Sequence, residues 1–257
     1  MMKLSIIVTT YNRPNLLKET LHSILNQTYV NFELVVVDNN SNYDFFEIIQ
    51  ILNDRRVKAY QNDNNGIIAT NRNFGIGKAQ GDYIAFCDDD DIWLPNKLQL
   101  QIEGILSNKL DFISSNVLLF KGHRENIIGI TSGKLPLNYN SFLMLNHVNT
   151  STVIAKKSLH LSFDESIDLV TIEDYDLWLK LYNQGYKFGF LDEPLVYYRL
   201  SETSASLENY SKKHMRLVIL YRKVFTGSNN VSTRYTLAKI IVLNMCKYVV
   251  KKFFIAK

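Results

Sequence analysis

The chain has 257 residues, with 29 Lys/Arg against 25 Asp/Glu and a formal charge of +4. The distribution is split. Residues 1–210 hold 18 of the basic residues and all 25 acids, a balance of −7, while residues 211–257 hold 11 basic residues and no acid. An acidic body with a basic tail is expected to use that tail on a partner surface. The composition, 46% hydrophobic and 21% charged, excludes a disordered chain, and two cysteines, Cys87 and Cys246, exclude a disulfide scaffold. Met1–Val8 is too short for a secretory core, and no apolar run approaches the roughly 18–20 residues that span a bilayer. A cytosolic protein is expected.

Strands and helices alternate through the first half. Leu4–Thr9 is a β-branched apolar run suited to a buried parallel strand. Pro14 opens a helical pattern carried by Leu17, Leu21, Ile24 and Leu25. Phe32–Val37 is a second strand that ends on the turn cluster Asp38-Asn39-Asn40-Ser41. A helix over 44–52, a strand over 57–61 and a helix over 66–78 follow. Tyr83–Cys87 is a fourth strand and runs into Asp88-Asp89-Asp90-Asp91, after which Pro95–Leu106 reads as a helix. Repeated β-α-β units predict a parallel sheet with helices on both faces, and such sheets bind ligands beyond the strand carboxyl ends. Three polar clusters lie there: Thr9–Arg13, Asp38–Ser41 and Asp88–Asp91.

The second half is less regular. Strands are expected over 112–120, 152–155, 187–191 and 195–199, and a helix over 174–182. From about Glu208 one or two helices are expected, with a break near Gly227–Asn230.

Four consecutive aspartates after an apolar strand repel one another unless a cation offsets them. Hard oxygen donors at a strand end suit Mg²⁺ or Mn²⁺ shared with substrate phosphates. The same run also reads as an acidic turn capping the next helix. Glu173-Asp174 likewise has two readings. Thr171 can cap a helix with Asp174 as partner, or Asp174 can be a general base at a helix start. Arg72 is either a surface cation or a phosphate contact. Gly75-x-Gly77-x-x-x-Gly81 has the wrong spacing and precedes a strand, so it is not a dinucleotide fingerprint. A P-loop, metal-spaced histidines and a nucleophile elbow are all absent from the sequence.

The order SIIVTTYNRP, FELVVVDNNS, TNRNFGIGKAQGDYIAFCDDDDIWLPNKL, TIEDYDLWLKL and YYR resembles the family 2 glycosyltransferases of the GT-A fold, over about residues 3–200. The resemblance implies an α/β catalytic domain over 1–207, with a nucleotide-binding half (1–110) and an acceptor-binding half (111–207). A basic helical extension would occupy 208–257. It implies that Thr9, Tyr11 and Arg13 line the nucleotide base pocket. Asp38 would bond the base, commonly uracil, and Arg72 would help to hold the nucleotide. Asp88 and Asp89 would face the ribose and diphosphate. Asp90, with Asp88, would hold Mn²⁺ or Mg²⁺. Asp174 would be the catalytic base, with Glu173 beside it shaping the acceptor site.

The chain departs from the pattern at Asn39, where an acid is common, and at Ser201, where many members carry a histidine. Asp91 or Glu202 are candidate replacements for that ligand.

The resemblance implies an inverting transfer from a UDP-sugar, or another nucleotide-diphospho-sugar, to a saccharide acceptor. The acceptor would be lipid-linked, as in O-antigen or capsule synthesis, at the inner face of the membrane. Acceptor choice is assigned to the loop around His147–Ser151. In the tail, Lys212, Lys213, Arg216, Arg222 and Lys223 flank Leu217–Leu220, and the segment 247–254 mixes lysines with aromatics. That pattern fits an anionic membrane, and also fits a helical pair packed on the core or a dimer contact. A nucleotidyltransferase would need a Gly- and basic-rich loop after the first strand, which Thr9-Thr10-Tyr11-Asn12 does not supply. A nucleic-acid partner is not expected, because that reading leaves the aspartates unexplained.

Overall fold

A computed structural model describes residues 2–134, 138–144, 146, 148–200 and 210–250. His147, Ser201, Glu202 and Lys251–Phe254 lie outside the described residues. So do the side chains of Lys212, Lys213 and residues 247–250.

The first half is built as the pattern predicts: β1 (Leu4–Thr10), α1 (Pro14–Leu25), β2 (Phe32–Asp38), α2 (Phe45–Leu52), β3 (Val57–Gln61), α3 (Ile68–Lys78) and β4 (Tyr83–Asp88). Pro14 stands at the start of α1, and the Asp44 carboxylate caps α2 by accepting the Glu47 N–H at 3.0 Å. Then come β5 (Ile92–Trp93), α4 (Lys97–Asn108), β6 (Phe112–Phe120), β7 (Ile127–Ile130), α5 (Tyr139–Met144) and β8 (Ile154–Lys156). The chain closes with α6 (Glu173–Asn183), β9 (Phe188–Arg199), α7 (Tyr210–Gly227) and α8 (Val231–Val250).

Among the described residues these strands form one sheet in the order β3-β2-β1-β4-β8-β6-β9-β5, with β7 on β6. β3, β2, β1 and β4 run parallel, β6 and β9 are parallel, and β8, β7 and β5 pair antiparallel with their neighbours. Two expected short strands near 187–199 are in fact one, β9, and its pairing with β6 shifts register near Asn116. Bulges let one strand turn without ending. Thr152 is not in a strand but closes a 3₁₀ turn, Thr150–Thr152, ahead of β8.

Alternation along the strands separates two cores. Leu4, Ile6, Val8, Ala85 and Cys87 pack with α1 and α4 residues such as Leu17, Leu21, Leu98 and Ile102. On the other face Ile7, Ile84 and Phe86 pack with Trp178 of α6, and with Leu220, Tyr221, Leu237 and Ile240 of α7 and α8. Two of the spaced glycines also have structural work. A Cβ on Gly75 would lie 2.6 Å from the Ile7 side chain, and one on Gly81 would lie 2.6–2.7 Å from the backbone of β1. Those glycines let α3 and the β4 approach pack against β1, which explains the run without any dinucleotide.

Candidate active site

Register brings the three polar clusters together. Thr10 pairs with Asp38 across β1–β2, and Thr9 with Asp88 across β1–β4. The loops are then stitched. Asn12, in the left-handed region, donates its N–H to Ser41 Oγ at 2.8 Å, and its side-chain oxygen accepts the Asn42 N–H at 2.8 Å. Asp38 is fully buried and accepts from the Ser41 N–H (2.9 Å), Ser41 Oγ (2.5 Å) and Gln61 Nε2 (3.1 Å). Three donors fix its carboxylate at the carboxyl end of β2. Thr9 Oγ1 is buried without a partner, and the Tyr11 ring is 55% exposed beside it. An exposed ring at a strand end offers a planar stacking surface.

The four aspartates have four different surroundings. Asp88 accepts from Arg72 Nη2 at 2.8 Å. Asp89 accepts from Thr10 Oγ1 at 2.7 Å and from Arg13 Nη1 at 3.1 Å. Asp90 accepts from the same Arg13 nitrogen at 3.0 Å. Burial, with Asp88 next to it, pushes the Asp90 carboxyl up to about 6, and burial raises Asp89 as well. Burial opposes the Arg13 charge, but Asp89 and Asp90 outweigh it and hold the guanidinium protonated.

Asp91 is fully buried. Its Oδ1 accepts the Arg199 N–H at 3.2 Å, and burial raises its carboxyl well above the usual range. Asp91 is thus enclosed, and its carboxyl anchors the end of β9. Arg199 spans from Asp90 O (3.0 Å) to Glu19 (2.6 Å) and packs over Phe120. A cleft of about 720 Å³ lies beyond it, lined by Glu19, His22, Trp93, His123, Arg124 and Arg199, and none of the four aspartates lines it.

Arg72 is no surface cation. It is 5% exposed and bridges Asp88 to Glu173, with Nη1 donating to Glu173 Oε1 at 2.6 Å. Its guanidinium also lies 5.3 Å from the Phe163 ring centroid. Burial works against the Arg72 charge, and Asp88, Glu173 and Asp174 more than offset it. Glu173 is itself buried, so in this structure its partner is Arg72.

Thr171 is not the cap of α6. Its φ of 76° is left-handed, rare for a β-branched residue, and Ile172 takes the cap position without a side-chain bond. Asp174 is instead held inside the first turn. Its Oδ1 accepts the Tyr175 N–H and its Oδ2 accepts from Thr150 Oγ1, each at 2.7 Å. Burial and the charge of Glu173 push the Asp174 carboxyl up to about 6, against the pull of Arg72 and the two donors. A carboxyl tuned near neutral pH suits proton transfer.

Thr150 and Ser151 stand in the loop to which acceptor choice is assigned, and the sequence gives no sign of their bonds to Asp174 and Asp88. Ser151 Oγ accepts the Asp88 N–H at 3.0 Å, and Trp93 Nε1 donates to Ser151 O at 3.0 Å. The only sequence signal was the run Thr150-Ser151-Thr152 before a strand.

Asp88 and Asp90 offer two hard oxygen donors in an anionic, partly desolvated place, which fits Mg²⁺ or Mn²⁺ completed by phosphate oxygens. Among the described residues no group of three or more His, Cys, Asp or Glu forms a metal cluster.

Comparisons with known proteins identify the family and the fold. The chain is 30% identical to the Escherichia coli UDP-Glc:alpha-D-GlcNAc-diphosphoundecaprenol beta-1,3-glucosyltransferase WfgD, over 95% of this chain and 94% of that protein. It is also 30% identical to E. coli WfaP, which carries the same enzyme description, over 87% of this chain and 93% of that one. The crystal structure of S. aureus TarS 1–349 in complex with UDP-GlcNAc superposes with a TM-score of 0.74 at 20% identity, covering 98% of this chain and 73% of that one. This last likeness shows the shared GT-A fold. The profile of glycosyl transferase family 2 matches residues 5–157, more than half of the chain, and the protein is a glycosyltransferase of that family.

Proposed function

We propose that the chain transfers a hexose from a UDP-sugar, UDP-glucose foremost, to a hydroxyl of a saccharide carried on a lipid diphosphate, with inversion. The observation that carries this reading is one buried ion network. Arg72 ties Asp88, at the donor end of β4, to Glu173, the neighbour of Asp174. Donor and base machinery thus meet across a single guanidinium. The choice of donor and acceptor is supported by the two E. coli relatives, whose descriptions give UDP-Glc and a GlcNAc-diphosphoundecaprenol acceptor.

Thr9, Tyr11, Arg13 and Asp38 receive the nucleotide base, and Asp88 and Asp89 face its ribose and diphosphate. Mg²⁺ or Mn²⁺ held by Asp90 and Asp88 would neutralise charge on the departing diphosphate. Asp174 takes the proton of the acceptor hydroxyl as its oxygen bonds to the anomeric carbon. The bond from that carbon to the diphosphate oxygen breaks, and UDP leaves with the electron pair. An α-linked donor gives a β-linked product, through an oxocarbenium-like transition state.

A lipid-linked acceptor calls for contact with the inner face of the membrane. The outward side of α8 exposes Val231 (81%), Tyr235 (64%), Val242 and Leu243, on a helix that also carries Arg234 and Lys239. Apolar side chains flanked by cations suit an anionic bilayer. No helix of the described residues is long and apolar enough to cross one.

The test is transfer from UDP-glucose to a synthetic GlcNAc-diphospho-lipid. Asp174→Asn abolishes transfer and keeps UDP binding in the presence of Mn²⁺. Full activity in that variant removes the base assignment. Release of UDP from other UDP-sugars but not from UDP-glucose removes the donor assignment.

A further inference from the structure

We infer that Thr150 is the positioning residue of the base, and that the turn Thr150-Ser151 locks Asp174 to the first aspartate of the donor site. The inference rests on Asp174 being the base.

The turn is a rigid, buried piece of backbone. Asn149 Oδ1 accepts the Ser151 N–H at 3.1 Å, and Thr152 Oγ1 donates to Asn149 O at 2.7 Å. From outside, Gln101 Nε2 of α4 donates to Thr152 O at 2.7 Å, and Trp93 Nε1 donates to Ser151 O. Thr152 Oγ1 also meets Ser114 Oγ of β6 at 2.6 Å. Thr150, Ser151 and Thr152 are all buried. Strand, helix and Trp93 therefore fix where the two leading hydroxyls stand.

Those two hydroxyls serve opposite halves of the reaction. Ser151 Oγ accepts the backbone N–H of Asp88, and Thr150 Oγ1 gives its hydrogen to Asp174 Oδ2. A threonine hydroxyl has one hydrogen, so the carboxylate at its other end must accept. With Oδ1 taken by the Tyr175 N–H, the Asp174 carboxylate is held from both oxygens and cannot swing about its χ angles. The lone pairs left over are those that meet an acceptor hydroxyl. The hydroxyl bond also favours the ionised form. The charged and titratable groups around Asp174 are Glu173 on its own helix, Arg72 from α3 and Tyr198 from β9. Glu173 raises its proton affinity, while Arg72 and Thr150 lower it.

The experiment compares Thr150→Val, Thr150→Ser and Asp174→Asn, using UDP-glucose, the GlcNAc-diphospho-lipid and saturating Mn²⁺. Thr150→Val is expected to lose kcat roughly 10- to 100-fold, the scale of a hydrogen bond to a charged group. UDP affinity by calorimetry stays within about twofold, and the acid limb of kcat/KM moves to higher pH. Thr150→Ser restores both rate and limb. Should Thr150→Val melt below the assay temperature, Thr150→Ala is read by the same two measures. Wild-type kcat with an unmoved limb, or a loss of rate that serine does not restore, overturns the inference. An inactive Asp174→Asn beside an unaffected Thr150→Val refutes Thr150 alone. An active Asp174→Asn refutes the base beneath both readings.

Discussion

Replacing Arg72 by Met tests the network most directly. The methionine fills much of the same volume and leaves two carboxylates without their shared cation. Removing one partner from a buried pair costs about 3–5 kcal/mol, because the other charge stays desolvated. The two acids do not share this loss equally. The Glu173 side chain is 5% exposed and has nowhere to find water, whereas Asp88 is 32% exposed and solvent recovers part of its loss. The expectation is therefore the lower end, about 3 kcal/mol. Unfolding entropy of about 2.1 cal/mol/K per residue, over this chain, converts that to a fall in melting temperature of about 6 °C. The assay is thermal denaturation of wild type, Arg72→Met, Glu173→Gln and the double variant. Glu173→Gln should recover most of the loss in the Arg72→Met background, since it removes the stranded charge. UDP affinity should fall in Arg72→Met as Asp88 loses its tether. A melting temperature within about 1 °C of wild type, or strictly additive losses in the double variant, would refute the network.

Three further outcomes are expected. With Mn²⁺ saturating, kcat/KM should rise with pH and level off above the Asp174 value of about 6, being about tenfold lower one unit below it. A flat profile between pH 5 and 8 contradicts a base of that strength. Lys97 is fully buried, 3.8 Å from the Trp93 ring centroid and bonded to Gln101, and burial lowers its ammonium to about 7. The unfolded chain then holds one more proton than the folded one between that value and about 10.4, so stability should rise by roughly 2 kcal/mol from pH 7 to 9. In chemical denaturation Lys97→Met should lose that rise, and an unchanged slope would show that Lys97 does not titrate there. Finally, Tyr235→Asp with Val242→Asp should weaken co-sedimentation with phosphatidylglycerol vesicles while transfer to a water-soluble acceptor persists. Equal sedimentation would move the contact away from α8.

The parts of the fold that could be read from sequence are those written locally. β1, β2 and β4 are short apolar runs closed by polar turns, so their places along the chain and their polar carboxyl ends can be read locally. The same holds for Pro14 and Asp44, whose helix starts depend on neighbouring residues. What could not be read depends on distant residues. Thr171 has the chemistry of a cap and adopts φ 76° instead, in a stretch where Arg216 of α7 reaches its hydroxyl at 3.3 Å. Asp88 to Asp91 are identical letters, and only Arg13, Arg72 and Arg199, coming from three other elements, make them different. Thr150 is one of many threonines until α6 brings Asp174 against it, across 24 positions of chain. β9 looked like two strands because Asp192-Glu193-Pro194 reads as a break, whereas β6 carries the pairing through it.

The helices that hold the basic tail have a consequence for how the enzyme can be taken apart. The sign of the charge changes at residue 211, yet α7 and α8 beyond it pack on the same core as α6. Tyr221 stacks edge-on against Tyr175, the residue after Asp174. Lys223 binds Asp164 at 2.6 Å and Asp176 of α6 at 3.3 Å. A cut at the charge boundary would strip Leu220, Tyr221, Leu237 and Ile240 from the core that supports Trp178. Truncation would therefore unseat α6, which carries the proposed base, along with any lipid contact, and a dead fragment would say nothing about membranes. Among the described residues, substitutions on the outer surface of α8 separate the proposed anchoring from turnover.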